Sequence, residues 1–411
     1  MTFEEKLQNY AKLMVCHGLN VQPGQMVNIS AEAYHRELAV MAVEEAWKRG
    51  ASYVNLDLND SRTTRLRVQH SEDKDLEFVP AYVSEKYKEI VDQTGANLAI
   101  RGSEYPDILA DLSTKKVNNL RLSNHKAIKY FYDEGIGKSK VHWSLANGAT
   151  PGWASKIFPE MEPEEACKRL WDEIFKACRA DKENCLELWK EHNDRLHARS
   201  KRLNDLELET IHFSGPGTDL KVGLSKLALF KGGGDESPRG VEYEPNIPTE
   251  EVFTTPDNRK TEGEVSATRP FLINGVLIEN LKIVFEKGKI ANFSATNGAE
   301  TFKEYTSSDP GASRLGEVAL VGTDSPIFQS GLVFQDILYD ENAACHIAVG
   351  SAYKFCLKGG DSLSKDKLEE IGCNESMVHT DMMISSEEVS VKGTTYSGEE
   401  VQLIENGKWV E

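Results

Sequence analysis

The stretch "QMVNISAEAYHRELAVMAVEEAWKRGASYVNLDL", residues 25–58, decides the fold of the first part of the chain. Its apolar period changes twice. "QMVNIS" (25–30) is a short β-prone run. The segment that follows, 31–50, places Leu38, Met41, Ala42 and Ala46 on one helical face. Ser30 is positioned to cap that helix and Gly50 to end it. "SYVNLDL" (52–58) returns to a β pattern, and "ANLAIRG" (96–102) repeats it. Strand, helix and strand at this spacing predict a parallel sheet covered by helices. No GxGxxG follows these strands, so a dinucleotide site has little support.

Further along, residues 163–200 are charged, with an apolar stripe at Cys167, Trp171, Phe175 and Cys178, then Leu188 and Trp189. This predicts one or two amphipathic helices bridging two domains, their aromatics and thiols spent on packing. From about residue 205 the pattern becomes short β runs with turns: "ETIHFSG", "TDLKVGL", "FLINGVLIENLKIVFEKGKIANFSA", "EVALVG", "SEEVSV" and "VQLIENGKWV". "KGKI" and "NGKW" read as turn connections. "KGGGDE" (231–235 and its flank) lacks the Lys-Ser/Thr of a phosphate loop and reads as a plain loop.

The chain has 411 residues, enough for two domains and a core that needs no disulfides. Its seven cysteines are scattered without a CxxC pair, which excludes a zinc ribbon and suggests free thiols in a reducing cytoplasm. No apolar run approaches ~18 residues, and the acidic, amphipathic start is unlike a signal peptide. Net charge is −18, divided as −3 over residues 1–200 and −15 over 201–411. Such a chain is a poor partner for nucleic acid. Most of these acids solvate a surface.

A few do not fit that role. His379 and Asp381 stand two apart in the apolar run "VHTDMMI", so on a strand both face one way. His346 lies in "ENAACHIAVGSAY", whose small residues from Ala343 to Tyr353 predict a helix that would put His346 and Tyr353 on one face. Glu317 sits within the apolar run "RLGEVALVG", and Glu250 and Glu251 open "EEVFTTPD", pointing to opposite sides. Buried carboxylates are costly unless paired or bound to metal, and apart from Arg314 at the edge of "RLGEVALVG" no Lys or Arg occurs within these apolar stretches. Borderline divalent ions accept such a mixed nitrogen and oxygen set. Four to six donors make room for two ions about 3.5–4 Å apart. A lone His beside an Asp is more often a satisfied hydrogen bond, and HEXXH is absent, so spacing alone leads only as far as a metallohydrolase.

"NIPTEEVFTTPD", "RLGEVALV", "LYDENAACHIAVGSAY" and "HTDMMI", in this order, together with "WASKIFPEME" (153–162) and "GPGTDLKVGL" (215–224), resemble the AmpS/PepS type of metallo-aminopeptidases, the thermophilic aminopeptidase family. The resemblance spans essentially the whole chain. It implies an α/β fold: an N-terminal α/β domain with a parallel sheet and the helical bridge over 1–200, and a C-terminal mixed α+β metal-binding, catalytic domain over 201–411. It implies two divalent metal ions per subunit, held by Glu251, Glu317, His346, Tyr353, His379 and Asp381, with Glu251, or its neighbour Glu250, as the bridge. The ions are zinc, cobalt, manganese or magnesium. Glu341 is a ligand, the partner of the substrate's ammonium, or a general base; a helix-start acid favoured by the macrodipole is its structural alternative. Glu250 is the other candidate for the catalytic base. The expected activity is hydrolysis of the N-terminal peptide bond of short peptides by a cytoplasmic homodimer, the ions activating a bridging water. The rival readings are another dinuclear metallohydrolase (an amidase or esterase), a non-enzymatic α/β ligand-binding protein, and a cysteine hydrolase built on Cys345.

Overall fold

The structure, a computed structural model, describes residues 1–411. The chain divides into two compact units, Met1–Glu191 with Gly234–Pro248, and His192–Gly233 with Thr249–Glu411. Helix α1 (Phe3–Leu13) opens the first unit behind a capping box at Thr2 and Glu5. β1 (Met26–Glu32), α2 (Arg36–Lys48) and β2 (Tyr53–Asn59) follow, then β3 (Ala96–Arg101) and β4 (His142–Asn147). The sheet order is β2-β1-β3-β4, extended by the two-residue strand Asn246–Ile247, and every pairing is parallel. The predicted α/β unit with a parallel sheet is therefore present. Leu38, Ala42 and Ala46 of α2 are buried, as are Val27, Ile29 and Leu98 of the sheet.

The start of α2 differs from the sequence reading. Ser30 lies inside β1, and its hydroxyl donates to the Leu98 carbonyl. The strand runs on to Glu32 and a short 3₁₀ turn (Ala33–His35) precedes α2, which starts at Arg36 without a side-chain cap. Pairing with β3 outweighs the local capping preference of the serine. The expected stop is present: Gly50 has φ +85 just past the helix, and its N–H bonds to the Trp47 carbonyl.

The segment 163–200 forms α3 (Pro163–Ala177) and α4 (Cys185–Asp205). Cys167, Trp171, Phe175, Cys178 and Trp189 are all buried. The chain passes from the first unit to the second within α4.

The second unit is built on two antiparallel sheets. The larger has eight strands, in the order Lys289–Ser294, Lys282–Glu286, Pro256–Ser266, Thr218–Leu224, Leu208–Gly215, Ser390–Thr395, Glu400–Glu405 and Lys408–Trp409. Lys287–Gly288 and Asn406–Gly407 make the expected hairpin turns. The smaller sheet has four strands: β5 (Val252–Thr254), β6 (Leu315–Leu320), β7 (His346–Gly350) and β8 (His379–Met383), neighbours in that order. Ile211, Phe213, Leu220 and Val222 of the large sheet share one hydrophobic cluster with Val318, Ile347 and Met382 of the small one. The small sheet thus turns one face to this core.

Candidate metal centre

Its other face carries the acids. Register places Glu317 opposite Ala348, and Ala348 opposite Asp381. Ala319 pairs with His346, and Gly350 with His379. Phe253 of β5 pairs with Ala319, so Glu251, two residues earlier, falls on the same face. Val318, Leu320, Ile347, Val349 and Met382 alternate to the core side. Between the donors stand only Ala319, Ala348 and Gly350, which leave the sheet's centre open.

Two backbone devices hold this face. A bulge at Gly316 interrupts the β6–β7 register, so Glu317 faces the donors while Leu315 returns to the core. A Cβ on Gly316 would stand 2.3 Å from the Ser351 carbonyl oxygen, so the bulge admits only glycine. Gly350, with φ +109, brings its backbone so close to Val378 that a Cβ would lie 2.0 Å from that carbonyl oxygen.

His346 Nε2 lies 3.1 Å from Glu251 Oε2, and His379 Nε2 lies 3.2 Å from Glu317 Oε2 and 3.4 Å from Asp381 Oδ1. The Tyr353 hydroxyl is 3.3 Å from the same His379 nitrogen. Each imidazole is oriented from behind by its own backbone surroundings. His379 Nδ1 donates to the Ser351 carbonyl at 2.8 Å, and His346 Nδ1 faces the Ala344 carbonyl at 3.3 Å. With Nδ1 carrying the proton, the Nε2 lone pairs point into the acid cluster, the orientation a metal ligand needs.

The donors form two groups, Glu251–Glu317–His346 and Glu317–His379–Asp381, the ligand atoms of each lying within 4.8 Å of one another. Glu317 belongs to both. Glu251 Oε2 is buried and makes no well-formed hydrogen bond, although it is near His346. A buried carboxylate oxygen left this way is expensive, and with the mixed nitrogen and oxygen donor set it fits a divalent cation.

The electrostatics agree. Burial pushes the Glu317 carboxyl up to about 7, with Asp381 and Glu251 adding repulsion against the opposing hydrogen bond from His379. Burial also raises Glu341 well above the carboxylate range, reinforced by Glu251 and Asp381. Burial alone would lower both imidazoles, yet Glu251 holds His346, and Asp381 and Glu317 hold His379, well above their ordinary value. Burial lifts Tyr353 further, with Glu317 and Asp381 beside it. Burial would raise Asp381 as well, but His379 keeps it below its usual value. The cluster therefore holds protons where a cation would take their place.

Every predicted donor comes to this face except through one revised element. The run Ala343–Tyr353 is not a helix: His346–Gly350 is strand β7, buried along its length. Tyr353 reaches the site from a loop beyond that strand's end, not from two turns along a helix. Its small residues serve the open floor rather than helix packing. Glu251 and Glu250 point apart, Glu250 Oε2 lying 3.6 Å from His192 Nε2. Glu341 caps a short helix (Ile337–Asp340), keeps some exposure, and is joined electrostatically to Glu251 and Asp381. Cys345, beside His346, points to the core; its thiol is buried, donates to the Val321 carbonyl, and is raised by burial. It cannot serve as a nucleophile there. His212 pairs with Asp219 at an exposed position away from these donors.

Sequence reasoning missed the residue that ties the acid-bearing segments together. Asn342 is 1 % exposed. Its Oδ1 accepts the Glu250 N–H at 2.7 Å, and its Nδ2 donates to the Leu338 carbonyl at 2.9 Å. An asparagine after a glutamate gives no sequence signal for this role. Tyr305, which donates to the His379 carbonyl at 2.9 Å, is equally silent.

Comparison with known proteins adds four findings. A family model described as "Thermophilic metalloprotease (M29)" matches residues 3–409. Aminopeptidase PepS of Streptococcus thermophilus is 38% identical, over 99% of this chain and 98% of that protein. Aminopeptidase T of Thermus thermophilus is 39% identical, over 99% of each. The solved structure of wild-type AmpT from Thermus thermophilus superposes with a TM-score of 0.92 at 38% identity, covering 100% of both chains.

Proposed function

The chain belongs to the thermophilic metalloprotease (M29) family and is a metallo-aminopeptidase, and from that premise we propose that it removes the first residue of short peptides using two divalent ions. The observation that carries the reading is the pair of donor groups sharing Glu317. Glu251 and His346 would hold one ion, His379 and Asp381 the other, and Glu317 both. On this assignment Glu317, rather than Glu251, would be the donor common to both ions. Tyr353 is an added donor on the His379 side. Charge fits the number two: with their protons displaced, Glu251, Glu317, Glu341 and Asp381 would supply four negative charges, which two divalent ions would balance. The donor set suits zinc, cobalt, manganese or magnesium.

When bound, the ions supply Lewis acidity towards the scissile carbonyl and acidify the attacking water. The protein's own groups do the rest. Glu251, Glu317, His346 and Asp381 are buried, whereas Glu341, Tyr353 and His379 keep partial exposure. Substrate therefore meets the cluster past these three. With cations at the cluster favouring its ionised form, Glu341 would take the proton from the attacking water on its carboxylate and return it to the leaving amine. Glu250, turned to His192, is left to position the segment. The Ser351 and Ala344 carbonyls keep both imidazoles in the ligating orientation. A site this acidic favours the cationic end of a peptide.

We further assign catalysis to the second unit, which holds all the donors, and a homodimer to the assembly on family resemblance. Seven cysteines, none in a disulfide, suit a reducing cytoplasm. No helix is long and apolar enough to cross a membrane. The test is elemental analysis with chelation and reloading, scored on aminoacyl p-nitroanilides against acyl and phosphate esters. Two ions per chain and anilide cleavage that follows metal content support the proposal. Full activity after complete metal removal, or ester cleavage alone, refutes it. Light scattering of the active protein checks the dimer.

A further inference from the structure

The acid cluster has an aromatic border, and two of its rings, Phe253 and Phe355, have no part in the metal chemistry. Phe253 lies on the donor face, two residues after Glu251. Its ring meets Tyr353 edge-on at 5.9 Å and Phe355 at 6.2 Å. Tyr353 and Phe355 stack at 5.1 Å with 25° between their planes, and Tyr353 lies 5.0 Å from the His379 ring. A continuous aromatic surface thus runs outward from a metal-donor histidine and ends at Phe355, which is 43% exposed.

This surface is held in place. Thr255 Oγ1 and the Cys356 N–H both donate to the Tyr353 carbonyl, at 2.8 and 3.1 Å. The Leu229 N–H bonds to the Cys356 carbonyl and the Lys358 N–H to that of Leu227. Cys356 and Leu357 are buried. Phe355 is therefore an exposed ring on a fixed backbone. Scattered exposed apolar residues need no account, but this one stacks on Tyr353, which lies beside His379 of the donor cluster. Rings fixed in advance bind apolar groups with little ordering cost.

We infer that Phe355, with Phe253, forms the subsite for the side chain of the substrate's first residue, and that it favours large apolar or aromatic residues there. The inference rests on the aminopeptidase reading. In a peptide bound for cleavage of its first bond, that side chain is attached to the carbon between the ammonium and the scissile carbonyl. It must lie within a few bonds of the donors. An apolar side chain needs an apolar surface next to the acids, and Phe253–Phe355 is one.

The experiment compares kcat/KM of the metal-loaded wild type, Phe355→Ala and Phe355→Leu on phenylalanyl, leucyl and alanyl p-nitroanilides. These probes share one p-nitroaniline leaving group, so differences among them report the first subsite. Phe355→Ala should lose about 10-fold or more on the phenylalanyl and leucyl substrates and stay within about 2-fold on the alanyl one, with Phe355→Leu between. Metal content should be unchanged, and phenylalanine amide should inhibit the wild type more strongly than Phe355→Ala. Equal losses on all three substrates overturn the inference. So does an effect seen only on the second residue of alanyl dipeptides. A metal-loaded wild type that cleaves no anilide instead overturns the aminopeptidase reading itself.

Discussion

Asn342→Ala isolates the strap between the acid-bearing segments. The side chain makes two hydrogen bonds in a buried setting, one accepted from Glu250 N–H and one donated to the Leu338 carbonyl. Alanine removes the Asn342 acceptor of the Glu250 N–H, at about 1–3 kcal/mol, and forfeits the bond to Leu338, at about 0.5–1.5 kcal/mol. Urea unfolding of the metal-free protein should therefore show a loss of roughly 2–4 kcal/mol. The same peptide leads directly into Glu251, so chelator competition should show the ion held by Glu251 and His346 weakened about 10–100-fold, as when a group supporting a ligand is removed. The ion of the His379–Asp381 group should be spared. Asn342→Asp keeps an acceptor for Glu250 N–H and should recover part of the stability, while its new charge beside Glu341 separates the two effects. A stability loss below about 0.5 kcal/mol together with unchanged metal affinity would refute the strap.

Three other outcomes follow from the geometry. Glu317→Gln should weaken both ions and Asp381→Asn only one; sharing about 10–16 kcal/mol of binding among four donors gives about 100-fold or more per lost donor, and equal stoichiometry in the two variants by elemental analysis counts against a shared Glu317. Cys345→Ala should keep turnover within about 2-fold and lose about 1–2 kcal/mol of stability, since its thiol packs in the core; loss of activity with normal metal content would reinstate the cysteine. Burial pulls His35 down to about 4 against the opposing bond to the Gly102 carbonyl, below its unfolded value of about 6.5. The unfolded chain thus binds more protons between these values. Stability should fall as pH drops from about 6.5 to about 4, by about 3 kcal/mol in all, and a urea midpoint whose slope over this window is unchanged in His35→Gln would exclude His35 as the source.

Much of this architecture is legible in the sequence because it follows from periodicity. The βαβ start, the shift to short strands after about residue 205 and the same-face pair His379–Asp381 all rest on side-chain alternation, which local sequence carries. The failures come where tertiary pairing decides. Ser30 looks like a cap but is consumed by β1, because strand pairing with β3 continues past it. The alanines of 343–348 look helical because alanine favours helices in isolation. In the fold they are small because the face of β7 must stay open beneath the donors. The shared donor is hidden too: only the cross-strand register brings Glu317 between His346 and His379, and the Gly316 bulge that aims it has no local signature.

The four strands of the small sheet also impose an order on synthesis. Glu251 precedes β5, whereas His379 and Asp381 lie on β8, the last of the four to be made. At about 5–20 residues per second, the ribosome exposes the first acid of the centre several seconds to tens of seconds before the histidine and aspartate that complete it. A nascent chain halted before β8 carries Glu251, Glu317 and His346 but no second donor group, and lacks the strand that closes the edge of β7. On the proposed two-ion reading, hydrolytic competence would await translation through Asp381, and a product truncated before β8 would lack the His379–Asp381 donors.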